Sequence, residues 1–382
     1  MKILIAPDKF KGTLTAREVA ENIAKGLHDA RPDAHIEIVP MADGGEGTAE
    51  AICSARRCSW LHCKAHDPLG REIDARYGWI ASEKIAVMEM SEAAGMKRLA
   101  ANELNPDLAT TYGVGEMILD AASRGASEII IGLGGSATND GGFGMARALG
   151  FRFFSDANEL IGDMSRLRDL TKIKAPVAAG VSPANARTQP ARLPPQLRII
   201  AAADVRNPLL GENGATRVFG PQKGVRENEI DILEGALAKL ADVIGKEFGF
   251  DYRNEPGAGA AGGLGFGLMS FCGAKVRPGF DVVAEVVDLE GKIKDADIVI
   301  TGEGSLDRQT LEGKTPFGVA RLARKFGKRV FAIVGRATKD QEVRELFDAV
   351  YENARPGMSQ QENMNRAAEL LRENARELAK TL

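Results

Sequence analysis

Both ends of the chain alternate short apolar runs with amphipathic stretches, and this limits the possible fold more than any other feature. Lys2 to Ala6 reads as a strand, Thr15 to Asp29 as a helix and His35 to Pro40 as a second strand. Thr15 is the natural N-cap, because Glu18 can reach back to its backbone N–H. The pattern returns with strands at Asp297 to Thr301, Arg329 to Val334 and Asp348 to Tyr351. Between and after them lie helices at Thr315 to Phe326, Lys339 to Leu346 and Ser359 to Ala379. Strands alternating with helices predict a parallel sheet covered on both faces. The expected fold class is α/β, with a flavodoxin-like doubly wound sheet built from both chain ends, residues 1–58 and 288–382.

Residues 59–287 read as an inserted α/β domain. Its short strands are expected at Ser59 to Lys64, Glu72 to Ile80 and Lys84 to Met90, then around Ile129 and from Leu197 to Ala203. Val181 to Gln196 is rich in Pro, Ala and Arg without periodicity, which predicts an exposed loop. A chain of 382 residues with 44% hydrophobic residues can fill two or three packed cores at roughly 150 residues per domain.

A net charge of −3 with both signs interspersed argues against a general nucleic-acid or membrane-surface binder and favours small-molecule partners. The apolar run before Pro7 is too short for a signal-peptide core, and no run approaches membrane-spanning length, so a cytoplasmic protein is expected. Cys53, Cys58 and Cys63 lie near His62 and His66, but at spacings wider than zinc pairs use, so reduced structural thiols are expected. Oligomeric state stays open between monomer and homodimer.

Reactive chemistry concentrates in glycine-rich loops. In Ile129 to Gly142 (IIIGLGGSATNDGG) a β-branched run empties into a loop carrying a carboxylate, an amide and two hydroxyls, and Phe143 to Leu149 supplies a following helix. Glycine lets backbone N–H groups approach a ligand closely, so such a loop can cradle phosphate oxygens. Comparable loops occur at Ala6 to Thr13, Asp43 to Thr48, Asp204 to Thr216, Phe219 to Gly224, Gly257 to Gly267 and Thr301 to Asp307. Ligands of doubly wound sheets bind beyond the carboxyl ends of the strands, where strand order reverses. Asp8 and Lys9 should therefore converge with Glu303 to Asp307, with the Asp43 loop close by, and the insert would place Asn139, Asp140 and Asp204 across a cleft.

These motifs, APDKFKGTLTA, MADGGEGT, LGGSATNDGG, DVRNPLLGENGAT, VFGPQKG, GAGAAGGLG and ITGEGSLDRQTLEGKTP, follow one another almost end to end. In that order the chain resembles the type-1 glycerate kinase family. The resemblance implies an ATP- and Mg2+-dependent enzyme with a flavodoxin-like domain and an inserted α/β domain, forming phosphoglycerate from D-glycerate, the 2-phosphate favoured over the 3-phosphate. Two departures stand out: Ala203 precedes Asp204 where the family carries a cysteine, and the Val181 to Gln196 loop is longer than usual. Neither removes a charged motif residue.

Phosphoryl transfer asks a protein to align two oxygens and neutralise charge. No GxxxxGK[ST] loop and no protein-kinase signature is present, so the phosphates must be held in another way. Lys9 and Lys11 are candidates for binding phosphate or the glycerate carboxylate, with Lys223 and Arg336 as further cations. Asp8 or Asp204 is the expected base, with Lys9 beside it. Asp43, Glu46, Glu303 and Asp307 are the candidate Mg2+ carboxylates. Gly134, Gly135, Ser136, Thr138, Asn139 and Asp140 are candidates for binding phosphate or substrate hydroxyls. Two other readings compete: a GHMP-type kinase of another small hydroxy acid, suggested by GLGGSAT, and a nucleotide-binding regulator without catalysis.

Overall fold

The computed structural model describes residues 1–176, 193–308, 310 and 313–382. Most of the Val181 to Gln196 stretch, and residues 309, 311 and 312 of the ITGEGSLDRQTLEGKTP motif, lie outside the described residues. The fold is mixed α/β with parallel sheets, and it divides into two compact units: Met1–Cys58 with Pro278–Leu382, and Ser59–Arg277. Among the described residues no helix is long and apolar enough to cross a membrane.

The first unit holds a five-stranded sheet in the spatial order Ala349–Glu352, Arg329–Val334, Ile298–Thr301, Lys2–Ile5, His35–Ile38, with every pairing parallel. Lys2–Ile5 and Ile298–Thr301 are neighbours, with Ile3 opposite both Ile298 and Ile36. Alternate strand residues face opposite sides. Ile3, Ile5, Ile298, Ile300, Phe331 and Ile333 pack on one side against Val19, Ile23 and Leu27 of helix Ala16–Ala30 and Leu371 and Leu378 of helix Ala367–Ala379. Leu4, Val299 and Val330 are fully buried on the other. Burial on both faces is why these strands are continuous apolar runs in sequence. The first helix begins as its sequence requires, with Glu18 N donating to Thr15 Oγ1 at 3.2 Å and Thr15 N to Glu18 Oε2 at 2.8 Å.

Two helices differ from the expectation. The last one comes as two, Gln360–Asn365 and Ala367–Ala379, because Arg366 at φ −99° and ψ 8° leaves helical geometry between them. The one expected over Lys339 to Leu346 shortens to Gln341–Arg344, since Asp340 takes the capping position and accepts Glu342 N at 3.0 Å.

The second unit holds a six-stranded sheet in the order Lys275–Arg277, Arg198–Ala202, Glu128–Gly132, Ile85–Glu89, Glu72–Ile80, Ser59–His66. The first four run parallel and the last two add an antiparallel edge. Its core joins Phe143, Phe153, Phe266 and Phe271 to Leu237 and Leu240 of the long helix Ile230–Phe248. This packing fixes the carboxyl ends of the parallel strands, where Glu89, the Gly134–Asp140 loop and Asp204 emerge.

Candidate active site

In the first unit four loops leave the carboxyl ends of adjacent strands and are stitched together by backbone. Asp8 N donates to Gly302 O at 2.8 Å, Met41 N to Pro7 O at 2.9 Å and Gly335 N to Glu303 O at 3.0 Å. Thr301 Oγ1 adds a bond to Ala6 O at 2.8 Å. The approach is so close that a Cβ on Gly302 would sit 2.1 Å from Ile333 O. Asp8 and Glu303 thereby come to neighbouring positions, with the Asp43 loop beside them, as strand order requires.

Asp8 is buried, and its two oxygens are separately engaged. Oδ1 accepts Lys9 N at 2.6 Å and Oδ2 accepts Thr315 Oγ1 at 2.7 Å. Burial pushes its carboxyl up to about 6; the charge of Asp43 adds to this, while Lys9 and the Thr315 bond oppose it. Lys9 Nζ donates to Glu46 O at 2.6 Å and stands 3.8 Å from Asp43 Oδ1 and 4.0 Å from Asp8 Oδ1. It bridges two of the loops. The Glu46 and Lys11 side chains are exposed.

Glu303 is the second buried acid. Thr310 Oγ1 donates to its Oε1 at 2.8 Å, and burial raises its carboxyl to about 7, with Asp8 and Asp307 adding and Thr310 and Lys314 opposing. Asp307 lies 3.8 Å from Lys314 Nζ. Arg336 Nε donates to Ser305 Oγ at 3.1 Å. Ser305, Leu306, Asp307, Arg336, Ala337 and Thr338 line a cavity of about 240 Å3.

An oxygen-only set of acids suits a hard cation such as Mg2+. The charge of Asp43 opposes ionisation of Asp8, and the charges of Asp8 and Asp307 oppose ionisation of Glu303; a divalent cation would relieve that repulsion. Among the described residues no group of three or more His, Cys, Asp or Glu side chains is arranged to hold a metal ion by itself.

The second unit presents a different cluster. The loop after strand Glu128–Gly132 leads into the short helix Phe143–Ala148, unlike the long helix that the GHMP reading requires. Asp140 is fully buried and faces inward: it accepts Thr111 N at 2.9 Å, Thr111 Oγ1 at 2.9 Å, and Gly142 N and Gly144 N at 3.0 Å. These bonds partly offset the upward push of burial on its carboxyl. Its oxygens are spent on shaping the loop. Asn139 Nδ2 donates to Thr216 Oγ1 at 3.0 Å. Ser136 Oγ accepts Thr138 N at 3.1 Å and contacts Ala261 O at 3.2 Å.

Lys223 Nζ donates to Thr138 O at 2.7 Å from a buried position, and burial lowers its amine to about 7. Gly134 and Gly135 lie toward solvent, and Asp204 is exposed on the loop after Arg198–Ala202.

Several residues here escaped the sequence reading. Thr310, Thr315 and Lys314 serve the acids of the first unit; the GKTP helix start, where Pro316 follows Thr315, was a signal for Lys314 and Thr315 alone. Glu89 is 6% exposed at the carboxyl end of its strand, 3.4 Å from Ser91 Oγ. A carboxylate at the end of the apolar run Ile85–Met90 was the available sign.

The profile of the Glycerate kinase family matches residues 3–382. The chain is 41% identical to a glycerate kinase of Halalkalibacterium halodurans, covering 99% of this chain and 97% of that protein. It is 43% identical to a glycerate 2-kinase of Escherichia coli K12 over 92% and 90% of the two chains. A solved structure from Salmonella typhimurium LT2 assigned as glycerate kinase 2 superimposes with a TM-score of 0.86 at 38% identity, covering 100% of this chain and 98% of the other. With the match running through every one of the glycine-rich loops, the chain belongs to the glycerate kinase family of enzymes.

Proposed function

We propose that this protein transfers the γ-phosphoryl group of ATP to D-glycerate, with the 2-hydroxyl as acceptor, giving 2-phosphoglycerate in the cytoplasm. The observation that carries the reading is Asp8, a buried carboxylate with a near-neutral pKa between Lys9 and Thr315 at the strand-order reversal. We further take the first unit as the flavodoxin-like domain and Ser59–Arg277 as the insert.

A general base works best with a pKa near the working pH. Asp8 meets this condition and is preferred over the exposed Asp204 for removing the glycerate hydroxyl proton. Its oxygens are held from two sides, so the lone pair that takes the proton has a fixed direction. Lys9 lies within reach of the same acid and offers charge to an anionic oxygen, with Lys11 and Arg336 as further cations. Asp43, Glu46, Glu303 and Asp307 would hold Mg2+, which when bound neutralises charge on the phosphate oxygens. Gly134, Gly135, Ser136, Thr138 and Asn139 offer donors to phosphate or substrate oxygens, with Asp140 setting the shape of that loop.

The test is ADP release from purified protein with Mg2+-ATP and D-glycerate, followed by phosphorus NMR of the product. The 2-phosphate is expected. The 3-phosphate would reverse the regiochemistry, and no turnover from folded protein that binds ATP would overturn the substrate assignment.

A further inference from the structure

Lys223 is 2% exposed, and its Nζ reaches only Thr138 O at 2.7 Å and Ser136 Oγ at 3.4 Å among the described residues. No carboxylate among those residues lies within ion-pair distance. The charge that acts on it is that of Asp140, whose oxygens already serve Thr111, Gly142 and Gly144. A buried ammonium without a paired anion is costly, and its protonated form gains most from an anion brought from outside.

The loop above it is braced on its other sides. Ala137 N donates to Ala94 O at 2.9 Å and Met96 N to Gly135 O at 2.8 Å. Gly141 N donates to Gly262 O at 3.0 Å, within three successive left-handed residues, Ala261, Gly262 and Gly263, at φ 53°, 69° and 84°. A non-glycine residue held at positive φ is strain that the surrounding contacts must impose. Toward solvent, the N–H groups of Gly134 and Gly135 donate to no acceptor among the described residues. The loop thus has open donors on its outer side and a positive charge on its inner side.

We propose that Lys223 is a positioning residue: through Thr138 and Ser136 it fixes the Gly134–Asn139 loop and holds positive charge behind the loop's open amides, where an oxyanion of the substrate completes the charge balance. Naming that oxyanion as a carboxylate or phosphoryl group rests on the kinase reading above; the loop support does not.

The test uses the full chain as wild type, Lys223→Met and Lys223→Arg. D-glycerate and inorganic phosphate are each titrated calorimetrically at pH 8 in buffers of different ionisation enthalpy. An amine near 7 is mostly neutral at pH 8, and an anion nearby raises it, so the wild type should take up a proton on binding. Asp140 is the titratable group facing this amine; the 259–263 segment contributes none.

Lys223→Met should bind at least tenfold more weakly and lose that uptake while its tryptophan fluorescence stays native. Lys223→Arg should recover part of the affinity without the uptake. A response to glycerate alone marks a carboxylate subsite, and a response to phosphate marks a phosphoryl subsite.

Equal binding by wild type and Lys223→Met, or binding of neither probe by the wild type, would overturn the proposal. Should Lys223→Met fail to fold, the wild-type proton uptake and the Arg variant still decide. Glycerate turnover by the wild type is read separately, so a failed substrate assignment leaves the anion-binding result interpretable.

Discussion

Thr315 Oγ1 donates to Asp8 Oδ2 at 2.7 Å across 307 positions of sequence. The bond joins the opening residue of a C-terminal helix to the loop after the first strand. Because Asp8 is buried, no water readily replaces that donor. Thr315→Val keeps the shape of the side chain and removes the hydroxyl, leaving a buried carboxylate oxygen short of a partner at a cost of about 1–3 kcal/mol. We expect this loss in urea unfolding followed by circular dichroism, together with a fall in kcat. Thr315→Ser should restore both. A Val variant as stable and active as the wild type would show that the bond does not matter.

Asp8→Asn removes the proton acceptor while keeping the size of the side chain and one accepting oxygen. If Asp8 is the base, kcat should fall on the order of 100-fold or more with a small change in KM for glycerate. Asp204→Asn, at an exposed position, should stay within about threefold of wild type, a change equivalent to under ~1 kcal/mol of barrier. Steady-state kinetics of the pair settles the choice. A severe loss in the Asp204 variant with a mild one in Asp8 would exchange the assignments.

The sheet of the first unit was legible because its strands, buried on both faces, are unbroken apolar runs, and because Thr15 and Glu18 announce a helix start. The convergence of Asp8 with Glu303 followed from strand order alone. Side-chain direction was not legible. Asp140 sits in a loop of the right composition for ligand binding, yet it points inward because Thr111, distant in sequence, needs an acceptor. Lys223, in FGPQKG, has the look of a surface-loop cation and is instead buried beneath Thr138. Such partners are set by tertiary packing, which neither spacing nor composition records.

Gly262 tests how tightly the loop bearing Thr138 is held. At φ +69° a Cβ there would lie 1.9 Å from Thr138 O. Gly262→Ala therefore adds a backbone clash, about 1–3 kcal/mol, to the ~1–2 kcal/mol of a side chain at positive φ. Gly125 at φ +85° has nothing within 4 Å of its Cβ position, so Gly125→Ala should show the second cost alone. Both tryptophans, Trp60 and Trp79, belong to the second unit, and their fluorescence reports its unfolding. Equal destabilisation of the two variants would mean that the loop yields.

The amine of Lys223 also makes the second unit's stability depend on pH. Burial lowers it from 10.5 to about 7, so between those values the unfolded chain binds more protons than the folded one. Stability contributed by this group is therefore fully present above 10.5 and is lost as pH falls through 7. Within that window one such group gives a slope of up to about 1.4 kcal/mol per pH unit. Lys223→Met removes the titrating group, so the stability of wild type minus that of the variant should rise from pH 7 to pH 9. Urea unfolding followed by tryptophan fluorescence at pH 7, 8 and 9, without ligand, reads this directly. A flat difference would show that the amine keeps an ordinary pKa, and that its charge is already neutralised within the folded chain.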